Sequence, residues 1–141
     1  MRVWRTQDGE IVRLIDELPL ATFALAFSPD GKILATGGAD RILYLWDTST
    51  WKLVRKLEGQ PEIINTLAFS PNGLLIATGG FDHTVHTNPV SLLIREVASG
   101  KVLRTVPLPH ISTGLAFSPD GNTLAAIASG SSIYLVDVRK G

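Results

Sequence analysis

The chain has 141 residues, with 13 basic and 13 acidic side chains and no formal net charge. The charges are scattered without runs, which excludes the clustered Lys/Arg surface that nucleic acid or an anionic membrane requires. No cysteine is present and no apolar segment approaches the ~20 residues of a bilayer span, so disulfide, thiolate and spanning chemistry drop out and a cytoplasmic setting is expected.

Taken in order, the chain opens on the end of one strand, Val3-Trp4, and continues into another at 10–15. A hairpin follows over 22–36. Leu25-Ala26-Phe27-Ser28 is a short apolar run suited to a strand buried on both faces. Pro29 then pre-sets φ for a turn, Asp30 bonds nearby backbone, and Gly31 accepts positive φ. Ile33-Leu34-Ala35-Thr36 carries the chain back as the second strand. Gly37-Gly38-Ala39-Asp40 reads as the next turn, 42–46 as a third strand and 52–57 as a fourth, joined by Asp47-Thr48-Ser49-Thr50. No window carries a 3.6-residue apolar period, so no helix is expected.

The hairpin recurs. AFSPDG at 26–31 returns as AFSPNG at 68–73 and AFSPDG at 116–121, at spacings of 42 and 48. Repetition at that period means a repeat architecture built from copies of one all-β unit. Asp82 lies 42 after Asp40, but Arg95-Glu96 lies 49 after Trp46-Asp47, which places seven extra residues within 83–92. The third copy runs to Asp137, 90 after Asp47, and the chain stops where a fourth strand is due. The boundaries follow. Residues 1–21 are the end of a preceding repeat with its outer strand, 22–62 a first full unit, 63–110 a second with the insertion, and 111–141 a third without its own outer strand.

With AFSPDG, ATGGAD, LWD and the period of 42, the chain resembles the WD-repeat family over nearly its full length, most strongly at 25–59. The resemblance implies an all-β fold of four-stranded antiparallel β-propeller blades. Here there are about three, too few to close a ring alone. It also implies a hydrogen-bonded Trp, Ser/Thr, Asp and His network within each blade. Three of its positions are matched by Trp46, Thr36 and Asp40, with the fourth missing near Leu18. The second copy offers Gln60, Thr78 and Asp82, with Arg95 in the Trp position. The third has Ala126, Gly130 and Val136. Thr36, Asp40, Trp46, Asp47, Thr78, Asp82 and Asp137 are thus structural repeat residues.

An open arc leaves an apolar face bare at each end. Either further repeats of a longer protein or self-association is expected to cover them.

No chemistry rises above this frame, and no catalytic residue, metal or cofactor is expected. His83 and His86, three apart on a strand, point to opposite faces and lack a full ligand set. Ser28, Ser70 and Ser118 each precede Pro in a turn without a recurring His/Asp pair. Gly37-Gly38 and Gly79-Gly80 read as turns that no helix follows, unlike a phosphate loop. Trp51 falls in a turn whose second-copy counterpart is Gly100. The insertion has more functional flavour, since extra loop residues on a repeat scaffold commonly bind. It offers His83, His86, Asn88, Pro89 and Val90 as a partner-contact loop, against neutral loop drift.

The expected function is therefore a non-catalytic protein-interaction scaffold with protein partners. The alternative is a structural or regulatory piece of a larger multidomain signalling protein whose activity lies elsewhere. A propeller enzyme is the remote third reading, because the inner strands at 24–27, 66–69 and 114–117 are apolar or small.

Overall fold

A computed structural model describes residues 1–15, 18, 20–81, 90–129 and 131–139. Among them the chain is all β, with thirteen strands. A short pair, β1 (Arg2–Trp4) and β2 (Ile11–Leu14), comes first. The first meander is β3 (Thr22–Phe27), β4 (Ile33–Gly38), β5 (Leu43–Asp47) and β6 (Leu53–Leu57). The second is β7 (Ile63–Phe69), β8 (Leu75–Phe81), β9 (Val90–Glu96) and β10 (Val102–Leu108). The third holds β11 (Ser112–Phe117), β12 (Thr123–Ala128) and β13 (Ser132–Asp137). Each meander is one antiparallel sheet in chain order. The inner strands β3, β7 and β11 stand beside one another, so the sheets stack face to face through them.

The hairpin turns behave as their residues demand. Ser28 Oγ donates to Asp30 Oδ1 (2.6 Å) and accepts from the Ile33 amide (3.0 Å), while Lys32 N donates to Asp30 Oδ1 (3.1 Å). Ser70 with Asn72 and Ser118 with Asp120 repeat the arrangement. Gly31, Gly73 and Gly121 take φ near +72° in each. The serines are turn residues bonded to backbone and to a neighbouring side chain.

Gly37-Gly38 and Gly79-Gly80 differ from expectation. Gly37-Gly38 close β4 and Gly79-Gly80 lie within β8, just before its last residue Phe81; all four are buried in strands rather than forming turns. The reason is lateral packing. A Cβ on Gly37 would lie 2.5 Å from Ile64 Cγ2, and one on Gly79 would lie 2.8 Å from Ser112 Oγ. Each glycine is the seat into which the next sheet presses a side chain.

Two apolar cores sit between successive sheets. Ala35, Leu43 and Leu45 meet Ile64, Leu67 and Ile76 in the first. Ala77, Leu92 and Ile94 meet Leu124, Ala126 and Val136 in the second. A third core joins Met1, Val3 and Ile15 to Leu34, Tyr44 and Trp46, so the β1–β2 pair lies over the front of the first full sheet. It covers only part of that face. Leu25 and Phe27, expected to be buried, are 61% and 55% exposed, because among the described residues no inner strand lies against that face of β3.

Candidate interaction surface

In the first full sheet the indole Trp46 Nε1 donates to Thr36 Oγ1 at 3.0 Å, with both residues fully buried. Thr36 pairs with Tyr44 across the β4–β5 ladder and Leu34 with Trp46, which puts all four on one face. Tyr44 stacks on Trp46 with centroids 5.9 Å apart, and its hydroxyl donates to Asp40 Oδ2 at 2.8 Å. Burial, reinforced by that carboxylate, pushes the Tyr44 phenol up to about 12. Asp40 also accepts from the Ile42 amide (3.2 Å), so it ties the β4–β5 turn to the aromatic pair. Asp47 holds the next turn by accepting from the Ser49 hydroxyl and the Thr50 amide, both at 2.7 Å. Those bonds, the Ser49 hydroxyl first, hold its carboxyl down at about 2.

The same turn explains Trp51. It sits at φ +55°, where its counterparts Gly9 and Gly100 take +73° and +77°. Trp51 keeps this left-handed position while its indole packs against the third core.

The second sheet answers the same positions with other chemistry. Thr78 Oγ1 donates to Gln60 Oε1 at 2.7 Å, and Gln60 Nε2 donates to Glu62 Oε2 (3.3 Å) and the Ser91 carbonyl (3.2 Å). Glu62 Oε1 accepts from the Ser91 amide at 2.9 Å. Gln60, Glu62 and Thr78 are all buried. Arg95, in the Trp position, is also buried; Nη2 donates to the Glu58 carbonyl at 2.8 Å and Nη1 to the Gly100 carbonyl at 3.4 Å. Desolvation lowers its pKa. In the third sheet Ala126 and Val136 are apolar core, so no polar network crosses it at those positions. Asp137 Oδ1 accepts from the Arg139 amide at 3.0 Å, and its carbonyl accepts from Arg104.

Of the expected contact loop, Val90 is described: it opens β9 and is 6% exposed, so its side chain serves the second core. His83, His86, Asn88 and Pro89 lie outside the described residues, as do Asp82 and Gly130. The segment 82–89 leaves from Phe81 and returns at Val90, and the Gln60–Glu62 pair fixes the strand immediately after its return. Glu62 lies two residues beyond the Gln60 that repeat alignment picks out. A carboxylate beside the opening of β7 was its only trace in the sequence.

At the opposite end of the sheets, the 28–31 and 70–74 turns flank a groove of about 530 Å³ lined by Pro29, Ile33, Pro71, Leu74 and Val97. Two arginines, 49 apart on the outer strands, also escaped the sequence reading. Arg55 Nη1 donates to the Ser99 carbonyl at 2.9 Å, and Arg104 reaches the Asp137 carbonyl, so each outer strand is stitched to the next sheet. Their recurrence at the repeat spacing was the available signal.

Among the described residues the architecture is that of stacked antiparallel sheets that do not close into a ring, with polar side chains bonded in the turns and in ties between sheets. Residues 21–47 and 51–87 match the family described as WD domain, G-beta repeat, and the antiparallel sheets that hold them are consistent with WD repeats. No curated protein matches it. Repeats of this family generally mediate protein–protein interaction and are typically non-catalytic scaffolds.

Proposed function

We propose that the chain is a scaffold segment that presents loops to a protein partner, with the 83–90 insertion as its principal contact. The observation that carries this is the anchored exit of the insertion. A buried carboxylate and carboxamide hold the Ser91 backbone, so the strand that follows the insertion is fixed in place. The absence of cysteine and of clustered charge supports a protein partner in a cytoplasmic setting, rather than nucleic acid or membrane.

The test replaces 83–88 by an equal length of Gly and Ser, which spares Val90 and Leu92 in the core. Proteins cross-linked to the wild-type chain are compared with those cross-linked to the variant, with thermal midpoints matched as the folding control. Loss of cross-linked partners from the variant is expected. Unchanged capture would overturn the reading in favour of the second one, a structural piece of a larger signalling protein.

A further inference from the structure

Both walls of the groove at the 28–31 and 70–74 turns come from the first and second full sheets. A second hollow of about 390 Å³ adjoins it across Leu74 and Val97. Together they make one furrow along the turns of the second sheet.

The backbone at this junction is the same in all three sheets. The Thr48 amide donates to the Lys32 carbonyl and the Val97 amide to the Leu74 carbonyl, both at 2.9 Å. The Val138 amide donates to the Asn122 carbonyl at 2.8 Å. The side chains differ. The first sheet has Lys32, Thr48 and Ser49 at three positions where the second has Leu74, Val97 and Ala98. The third has Asn122, Val138 and Arg139. Thr48 Oγ1 donates to the Gly31 carbonyl at 2.8 Å and the Ser49 hydroxyl to Asp47 at 2.7 Å, so the polar set closes these turns with bonds of its own. Folding therefore does not require the apolar set. Leu74 is 63% exposed. A lone exposed leucine is ordinary, but three polar-to-apolar exchanges around one furrow mark a surface that is covered by something else.

An acid stands on each side of it. Asp30 lines the groove on the first-sheet side, and Glu96 lines the hollow beyond Leu74. Among the described residues no lysine or arginine lines either hollow. Lys32 lies close enough to act on the charge of Asp30 without lining the groove. The Ser28 hydroxyl, and after it the Lys32 amide, hold the Asp30 carboxyl below its ordinary value. It is therefore ionised at neutral pH. Apolar walls between two acids favour a cationic segment and repel an acidic one.

We propose that this furrow takes a short segment of a partner protein in which two apolar side chains are flanked by basic residues. The apolar side chains fill the hollows on either side of Leu74, and the basic ones face Asp30 and Glu96. This rests on the chain being an interaction scaffold, not on the 83–90 insertion: Phe81 and Val90 stand at the other end of their strands.

The experiment is fluorescence anisotropy of labelled synthetic peptides titrated with the full chain. Each peptide carries two leucines at a varied separation, flanked by arginine, by serine or by glutamate. The best arginine-flanked peptide is expected to bind at least about 10-fold more tightly than its glutamate-flanked twin. Leu74→Lys writes the first sheet's residue into an exposed position of the second, and should weaken that binding by about 10-fold or more. Asp30→Asn writes Asn72 of the second turn into the first, which keeps an acceptor for Ser28 and Lys32. It should weaken binding about 2–5-fold and flatten its salt dependence. Urea midpoints matched to wild type check that both variants fold. Replacing 83–88 by Gly and Ser should leave peptide binding unchanged. No binding by any peptide, equal binding of the glutamate-flanked ones, or binding indifferent to Leu74→Lys overturns the proposal. A salt dependence that survives Asp30→Asn overturns the pairing with Asp30. A wild-type dimer that Leu74→Lys turns into a monomer assigns the furrow to a second copy and also overturns it. Loss of peptide binding on the 83–88 replacement moves the contact to the insertion, which overturns the furrow and upholds the loop.

Discussion

The seat at Gly37 offers the sharpest test of how the sheets are held together. An alanine there places its Cβ 2.5 Å from Ile64 Cγ2 and 2.8 Å from Ile64 Cβ, both well inside van der Waals contact. Ile64 is fully buried between two sheets and has little room to retreat. Overpacking of this kind costs about 1–3 kcal/mol. Removing a strand glycine returns roughly 0.5–1 kcal/mol of backbone entropy. Gly37→Ala should therefore destabilise by about 1–2 kcal/mol. Ile64→Ala removes a buried side chain and should cost about 2–5 kcal/mol by itself. In the double variant the new methyl occupies space that the isoleucine vacated, and the remaining Cβ contact relaxes into the cavity. The double variant should then be more stable than the sum of the single changes predicts, by about 1–2 kcal/mol. Urea unfolding followed by the fluorescence of the buried Trp46 reads all four proteins. Gly38→Ala is the control, because its Cβ would meet the Ala21 backbone, which truncating Ile64 does not move. Additivity of Gly37→Ala and Ile64→Ala within about 0.5 kcal/mol would refute the seat.

Thr36→Val keeps the shape of its side chain but strips the acceptor from a fully buried Trp46 Nε1, and should cost about 1–3 kcal/mol in the same urea assay. Asp47 has a folded pKa near 2 against an ordinary 3.8, so its contribution is fully present above about 3.8 and disappears as pH falls toward 2. Asp47→Asn should flatten the stability profile across that window, and an unchanged acid slope would remove Asp47 from the account. Among the described residues buried Arg95 has backbone carbonyls and no carboxylate as hydrogen-bond partners, whereas its counterpart Trp46 donates to a threonine. Arg95→Trp gives Thr78 an equivalent donor and removes a buried charge. It should raise stability by about 1–4 kcal/mol, and a lowered midpoint would show that the ties to Glu58 and Gly100 matter more.

What the sequence disclosed divides by range. The three hairpin turns were legible because Ser, Pro, Asp or Asn, and Gly settle their bonds within six residues. Strand order in each sheet followed, since tight turns force neighbours to pair. Gly37-Gly38 was misread because a Gly pair signals a turn locally, and its real cause is a side chain 27 residues away in sequence. Leu25 and Phe27 read as buried because the strand pattern assumes a neighbour on both faces, and whether a neighbour exists is not a local property. The Trp46–Thr36 pair was found through the family resemblance. The Gln60–Glu62–Ser91 replacement was not, because a different set of residues does that work in the second sheet.

That replacement bears on what defines the unit. From the first full sheet to the third, the buried polar network passes from Trp46, Thr36, Tyr44 and Asp40, to Thr78, Gln60 and Glu62, and then to Ala126 and Val136. The turn chemistry and the register of inner on second strand scarcely change across the same three sheets. A buried hydrogen bond contributes only about 0.5–1.5 kcal/mol net, and an apolar replacement of both partners is close to neutral. The network is therefore free to drift while the hairpin and the face it presents are not. Drift in the face itself has a different consequence. Exchanging a glycine seat for Ile127, which is 52% exposed, changes the surface the third sheet presents while its pairing with β11 and β13 is kept.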